Sequence, residues 1–399
     1  MQVVVGLSCH FVRTPDGKIW TQTMFPYPFW CRYLEVFDHV RVVARAQDVL
    51  AVSADWHRVD GDGVSLAVLP DFQGPWQYLS RAPQMWRTVR MALKRAEAVI
   101  LRPPCPVCTC MEKQLTKMGH PYAVEVVADP YDSFSKGAST YSMRPIFQWW
   151  LTRTLRRQCR KAFAATYVTQ GALQRRYPGG PSTFSTYFSD VELPDGCFVA
   201  SPRTANGFRK PATLITVGSL NHYYKAPDIL IMAVHACIQE GLDLKLVLVG
   251  DGTEKGALEA RVSALGLKER VVFAGQLPSG EAVRARLDQA NLFVLPSRQE
   301  GLPRALVEAM ARALPCIGST VGGIPELLAP EDMVPPGEVA PLAAKLREVL
   351  SDPGRLERMS ARNLAQSLEY QEEKLRVRRI PFYQAVQAKT QEWLRAKAG

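Results

Sequence analysis

Two carboxylates, Glu300 and Glu308, stand in the stretch Pro296-Ser-Arg-Gln-Glu-Gly-Leu-Pro-Arg-Ala-Leu-Val-Glu-Ala-Met310, just after the apolar run Leu292 to Leu295. The run reads as a buried strand and the stretch as a loop entering a helix. In an open α/β sheet, ligands bind beyond the carboxyl ends of the strands. Anions settle at helix N-termini, where backbone N–H groups lack intrahelical acceptors. This arrangement suits a ligand with a diphosphate between hydroxyl-bearing rings, since N–H groups take the phosphates and carboxylates accept from the hydroxyls. Glu300, in the loop, reaches one end of such a ligand, and Glu308, further along the helix, points toward the other. The same spacing also fits plain structural roles, with Glu300 capping the helix and Glu308 on a solvated face.

The surroundings weigh on that choice. Upstream lie Leu214-Ile-Thr-Val-Gly-Ser-Leu220 with Lys225, and Leu246-Val-Leu-Val-Gly-Asp-Gly252; downstream lies Leu314-Pro-Cys-Ile-Gly-Ser-Thr-Val-Gly-Gly-Ile-Pro-Glu-Leu-Leu328. Together with the glutamate pair, in this order, they resemble the E-x7-E signature and donor-binding domain of retaining GT-B glycosyltransferases, the large group often called family 4. The resemblance implies an α/β protein of two Rossmann-like, doubly wound domains facing each other across a cleft. It implies retaining transfer of a sugar from a nucleotide-diphosphate sugar to a glycan or lipid-linked saccharide acceptor, with no metal or other cofactor.

Roles follow from the resemblance residue by residue. Gly218 lets the backbone approach the diphosphate, and Lys225 contacts phosphate, where an ammonium offsets charge on the departing group. Glu308 accepts from the two ribose hydroxyls. Glu300, with the N–H groups of Gly301 and Leu302, holds the transferred sugar and its phosphate. Backbone in Val272-Phe-Ala-Gly-Gln-Leu277, at Gln276 and Leu277, reads the base. One position departs: many relatives carry a phosphate-binding arginine where this chain has Ser219. A hydroxyl gives one neutral hydrogen bond and a guanidinium a charged fork, and Arg304 in the helix after Glu300 is placed to compensate. Many relatives also place a histidine after the fifth strand of the first domain. Here that stretch reads Val124-Glu-Val-Val-Ala-Asp-Pro-Tyr-Asp132. Asp129, as a catalytic group, and Asp132 are the candidates for positioning acceptor or sugar, with a cap or turn role beside Pro130 as the alternative. The loop of residues 13–21 occupies the place of the family's glycine loop with a single glycine, Gly17. Rival readings are an epimerase or phosphorylase of the same fold, and a non-catalytic glycan- or nucleotide-binding protein.

The elements agree with two domains. At 399 residues the chain exceeds one ordinary core, and 47% hydrophobic with 22% charged residues is a globular composition. Expected strands in the first half are Val3–Leu7, Val40–Ala44, Ser65–Leu69, Ala98–Leu101, Tyr122–Val127 and Ala164–Val168, with helices at Trp86–Arg95 and Met111–Met118. Such alternation marks a parallel, doubly wound sheet. Residues 190–210 are turn-rich and basic, and the alternation restarts at Ala212 with strands near 214, 246, 271, 292, 315 and 333. The domains are therefore set at residues 1–208 and 209–375. A helical tail of residues 376–399 crosses back to the first domain by resemblance, with Pro381 marking a kink.

A formal charge of +11 and a pI near 9.2 call for an anionic partner: a nucleotide sugar, a lipid headgroup or a polyprenyl-phosphate acceptor. No motif supports nucleic acid. No run is long enough to span a membrane, and Met1 leads directly into a strand without a basic region or cleavage site. A cytoplasmic enzyme is expected. Nine scattered cysteines argue for reduced thiols, and Cys105, Cys108 and Cys110 lack the second pair that a zinc site needs, so a loop and helix start is expected there. Asp60-Gly-Asp62-Gly63 mimics a metal-binding D-x-D, but Asp-Gly is also a common hairpin turn. Met143 to Lys161 interleaves aromatic and basic residues on a helical pattern. We expect Trp149 and Trp150 to pack inside the first domain, with reversible contact to an anionic membrane as the other reading.

Overall fold

The computed structural model describes residues 1–398 apart from 23, 73, 94–97, 135–142, 192, 205–210 and 279. The end of the helix expected at Trp86–Arg95, Glu192 and Gly207 of the turn-rich segment, and the boundary at 208/209 lie outside the described residues.

The first domain is built on β1 (Gln2–Arg13), β2 (Ile19–Thr21), β3 (His39–Asp48), β4 (His57–Arg58), β5 (Val64–Pro70), β6 (Ala98–Leu101), β7 (Ala123–Val126), β8 (Ala164–Tyr167) and β9 (Phe184–Tyr187). Its helices are α1 (Tyr27–Leu34), α2 (Gly74–Leu93), α3 (Pro106–Met118), α4 (Pro130–Ser133), α5 (Arg144–Lys161) and α6 (Ala172–Arg176). The parallel strands run β5-β3-β1-β6-β7-β8-β9 across the sheet, while β2 and β4 add an antiparallel flap on the end of β1. The expected glycine loop of residues 13–21 is the β1–β2 hairpin, with Gly17 at φ 81°. Asp60 closes the adjoining turn, accepting from Ile19 N at 2.9 Å and pairing with Arg58.

The second domain has β10 (Ala212–Val217), β11 (Leu244–Val249), β12 (Val271–Gly275), β13 (Leu292–Leu295), β14 (Cys316–Ser319) and β15 (Met333–Val334). These pair in parallel in the order β12-β11-β10-β13-β14-β15, the strand order of a dinucleotide-binding fold. Its helices are α7 (Pro227–Gln239), α8 (Lys255–Ala264), α9 (Glu281–Gln289), α10 (Arg304–Ala311), α11 (Val339–Leu350) and α12 (Pro353–Ser367). Covered on both faces, β13 buries all four of its residues, Leu292 to Leu295. Helix α10 turns Leu306, Val307 and Met310 inward at zero exposure, each contributing about 2 kcal/mol of apolar burial. Pro303 precedes it with extended backbone, and it ends at Arg312, before Ala313 turns left-handed.

The chain has entered the second domain by Val191, which packs with Leu193 and Cys197 among that domain's core residues. Arg203 is fixed there too, donating to the carbonyls of Leu287, Ala290 and Arg312. Helix α13 (Glu372–Ala398) then returns to the first domain, continuous across Pro381. Tyr383 stacks on Tyr33 at 4.7 Å between centroids, and Gln387 donates to Val36 O at 3.0 Å. Arg379 pairs with Glu35 at 3.2 Å.

Two expectations need comment. Trp149 and Trp150 are not packed in the domain: they are 64% and 40% exposed, because α5 buries its opposite side through Leu155 and Cys159. Cys105, Cys108 and Cys110 form the start of α3, all buried and free, with the Cys105 Sγ capping Cys108 N at 3.3 Å.

Candidate active site

Lys225 and Glu300 meet because β10 and β13 are neighbours and both loops leave from the carboxyl end of the sheet. Lys225 Nζ donates to both Glu300 carboxylate oxygens, at 2.6 and 2.8 Å, and Ser297 Oγ donates to Oε1 at 2.6 Å. Glu300 is only 6% exposed, so this carboxylate is held by a cation and a hydroxyl in a site largely closed to water. Ser319 Oγ in turn donates to Ser297 O at 2.5 Å, tying β14 to the same loop. Gly301 N–H and Leu302 N–H, ahead of α10, make no hydrogen bond among the described residues.

Glycine is required beside this loop. A Cβ on Gly322, whose φ is 53°, would lie 2.1 Å from Glu300 O, and Gly323 N donates to Gly301 O at 2.7 Å. The glycine pair is a tight loop pressed on the Glu300 backbone. Gly218 abuts the Lys225 side chain, and its N–H donates to Val249 O at 2.9 Å. Ser219 Oγ accepts from Asn221 N at 3.2 Å.

Across the cleft stands the carboxyl end of β7. Asp129, Asp132, Arg156 and Arg176 of the first domain and Glu300, Gly301, Thr320 and Gly322 of the second border one cavity of about 490 Å³. Asp129 is 4% exposed, and its side chain is fully engaged: it accepts from Tyr131 N at 2.8 Å, from the Tyr177 hydroxyl and from Arg176. Asp132 accepts from Arg176 at 2.9 Å. Burial raises its pKa, the negative charge of Asp129 adds to this, and Arg176 opposes both. Asp129 thus anchors the loop, while Asp132 borders the same cavity with Arg176 as its side-chain partner.

Glu308 is not in contact with Lys225 or Glu300. It sits about one turn along α10 and accepts from Arg304 Nε at 3.1 Å. Burial raises its pKa, with Arg304 pulling the other way. Arg304 is therefore engaged with Glu308. Gln276 follows β12 at the far edge of the sheet, donating to Leu277 O at 3.3 Å, and Leu277 packs on the domain core.

Two residues that sequence reasoning passed over hold the site together. Arg298 donates to Tyr223 O at 2.6 Å and to both oxygens of Asp228 at 2.9 and 2.8 Å, fastening the turn that carries Lys225. Replacing Arg298 with alanine is expected to lower kcat about 10–100-fold with little loss of melting temperature, since a freed turn misplaces the Lys225 ammonium. Steady-state kinetics and a melting curve test this; an unchanged kcat would show that Lys225 needs no such support. Glu326 bridges the cleft: its carboxylate accepts from the backbone N–H groups of Gln170, Gly171 and Ala172 at 2.5, 2.9 and 2.7 Å. Its position right after the glycine pair, in Gly-Gly-Ile-Pro-Glu, was the available signal. Gln299 adds a second bridge, donating to Ser133 Oγ at 2.8 Å.

Residues 202–366 match the family described as Glycosyl transferases group 1. Protein CapJ of Staphylococcus aureus is 24% identical over 328 residues, 82% of this chain and 81% of CapJ. The 2-deoxystreptamine glucosyltransferase of Streptomyces kanamyceticus is 35% identical over 126 residues, 31% of this chain and only 32% of that protein. In three dimensions, sucrose-phosphate synthase from Thermosynechococcus elongatus aligns with a TM-score of 0.71 at 16% identity, covering 97% of this chain and 99% of its own. Anabaena Alr3699/HepE in complex with UDP-glucose aligns at 0.62 and 16% identity, covering 99% and 100%. At such identities the structural matches speak for the two-domain fold.

Proposed function

We propose that this chain, which has the GT-B fold and matches group 1 glycosyl transferases over residues 202–366, is a glycosyltransferase of that type and moves a hexosyl group from a nucleotide-diphosphate sugar to a glycan or glycolipid acceptor. Transfer retains the anomeric configuration and uses no metal ion. The observation that carries the reading is the Lys225–Glu300 contact at the mouth of the second sheet, with Glu300 opposite Asp132 across one cavity.

In this reading the diphosphate lies on Gly301 N–H and Leu302 N–H with the Lys225 ammonium beside it. Glu300 takes hydroxyl protons of the transferred sugar in hydrogen bonds, and Glu308 does the same for ribose. As the bond between the anomeric carbon and the diphosphate oxygen breaks, negative charge gathers on the diphosphate, and Lys225 and the N–H pair answer it. That is the charge a divalent cation would otherwise meet, which is why none is assigned. The acceptor oxygen, positioned by Asp132, bonds to the anomeric carbon on the face the diphosphate leaves, and its proton passes to the departing phosphate oxygen. Orientation and charge stabilisation then suffice without a protein nucleophile.

Incubating the protein with a panel of nucleotide sugars, UDP sugars first, and reading the anomeric configuration of transferred or hydrolysed sugar by NMR tests the proposal. Retained configuration without added metal is expected; inversion or a metal requirement would contradict it. A pH dependence also follows. Glu308 accepts from both ribose hydroxyls with charged oxygens only as a carboxylate, so nucleotide affinity is highest above its raised pKa and falls as pH drops through it. The midpoint should lie above the ordinary glutamate value. Arg304→Ala should move it higher, because Arg304 holds the pKa down. Titration calorimetry with UDP across acid pH measures both; a midpoint unmoved by Arg304→Ala would separate the two residues.

A further inference from the structure

We infer that the outer surface of the α2–α3–α5 layer docks the protein on an anionic lipid bilayer. The three helices lie on one side of the first sheet: Met85 and Val89 of α2, Met111 and Leu115 of α3, and Leu155 and Cys159 of α5 share a single buried cluster. Helices α1 and α13 pack on the other side through Trp30, Tyr33, Phe382 and Tyr383.

The sequence of this layer is one-sided in charge. Helix α2, GPWQYLSRAPQMWRTVRMAL, and helix α5, RPIFQWWLTRTLRRQCRK, contain basic residues and no carboxylate. The one acid of α3, Glu112, is 2% exposed and taken by Arg157 at 2.6 Å. Arg87, Lys113, Arg153 and Arg160 project outward, and among the described residues no carboxylate lies within ion-pair distance of them. On the opposite side the charges are paired, as in Arg376 with Glu35 and Lys389 with Glu392. An unbalanced positive layer of this breadth complements a negatively charged surface.

The same layer exposes side chains that water hydrates poorly. Trp76 on α2 is 82% exposed, and Trp149 and Trp150 on α5 are 64% and 40% exposed, joined by Leu79, Met91 and Ile146. Exposed tryptophans beside unpaired arginines favour the headgroup region of a bilayer, where the indole sits at the acyl boundary and the cation at phosphate. These two helices carry no carboxylate that would repel anionic headgroups. Among the described residues no helix is long and apolar enough to cross a membrane, so the contact is peripheral. The face adjoins the cleft, since Gln148 of α5 donates to Tyr131 O in the short helix that carries Asp132. That the acceptor is then a lipid-anchored saccharide rests on the transferase reading; bilayer docking does not.

Flotation with vesicles of phosphatidylglycerol and phosphatidylcholine in about a 1:2 ratio, against phosphatidylcholine alone, tests the docking whatever the enzyme transfers. We expect the intact protein to float with the anionic vesicles at low salt, to be released at high salt, and to ignore the neutral ones. Arg153→Glu with Arg160→Glu should weaken binding more than tenfold, and Trp76→Ser with Trp149→Ser should leave a weaker, fully salt-sensitive association. These positions are exposed, and circular dichroism checks that each variant is folded. A protein that stays unbound at low salt, binds neutral vesicles equally well, or keeps its affinity in both variants would overturn the assignment. So would retention on an immobilised acidic polysaccharide without vesicle binding, which would give the face to a glycan.

Discussion

Replacing Lys225 with alanine is expected to slow sugar transfer by about 10²–10³-fold, with donor affinity reduced far less. The ammonium is one of few charges that can answer the diphosphate as it departs, and its side chain is only 19% exposed, so its charge acts with little screening. Held by both oxygens of Glu300, it is in position before the reaction begins. Glu300→Ala should cost a similar factor, because it removes the hydroxyl acceptor and releases Lys225 from its place. The double variant should be little worse than either single one, since groups that act as a unit do not contribute additively. Lys225→Arg should recover part of the rate by restoring the charge in a poorer geometry. A Lys225→Ala enzyme within a few-fold of the parent would remove this residue from the chemistry.

Asp129→Ala is expected to act on the fold first, destabilising the protein by roughly 3 kcal/mol and lowering its melting temperature by about 5–10 °C. The carboxylate accepts from Tyr131 N, the Tyr177 hydroxyl and Arg176 in a site that is 4% exposed. Its loss leaves the buried Tyr177 hydroxyl without its acceptor and Arg176 with Asp132 alone. Asp129→Asn keeps an oxygen for Tyr131 N and Tyr177 but not the ion pair, so it should recover about half of the stability. Asp132→Asn should do the reverse, sparing stability and lowering kcat. Melting curves beside kinetics separate the two aspartates. A stable Asp129→Ala protein with no activity would make Asp129 the reacting carboxyl and Asp132 its support.

The second domain was the more legible half of the sequence. Strand β13 is a continuous apolar run, and β10, β11 and β14 are broken only by Thr213, Thr216, Lys245 and Ser319, because parallel strands covered on both faces have little polar side to alternate with. Glycines at their ends announce the loops. The joining of Lys225 to Glu300 could be expected once β10 and β13 were taken as adjacent strands of a doubly wound sheet. What stayed hidden depends on partners far apart in sequence. Nothing local tells that Arg298 finds Asp228, or that Glu326 caps backbone donors at Gln170 to Ala172 in the other domain. Strand β9 was missed because its four residues, Phe184 to Tyr187, are half-exposed at the sheet edge and so lack an apolar run. Helical periodicity predicted α5 but not which stripe faces outward, and its tryptophans turned out exposed.

The most direct measurement is a crystal structure of the protein with bound nucleotide-diphosphate sugar, UDP-glucose first. The diphosphate should lie within hydrogen-bond distance of Lys225 Nζ and the N–H groups of Gly301 and Leu302, with the sugar on Glu300 and the ribose on Glu308. A nucleotide bound elsewhere, or seated in the cleft with Lys225 and Glu300 turned away from its phosphates, would contradict the account.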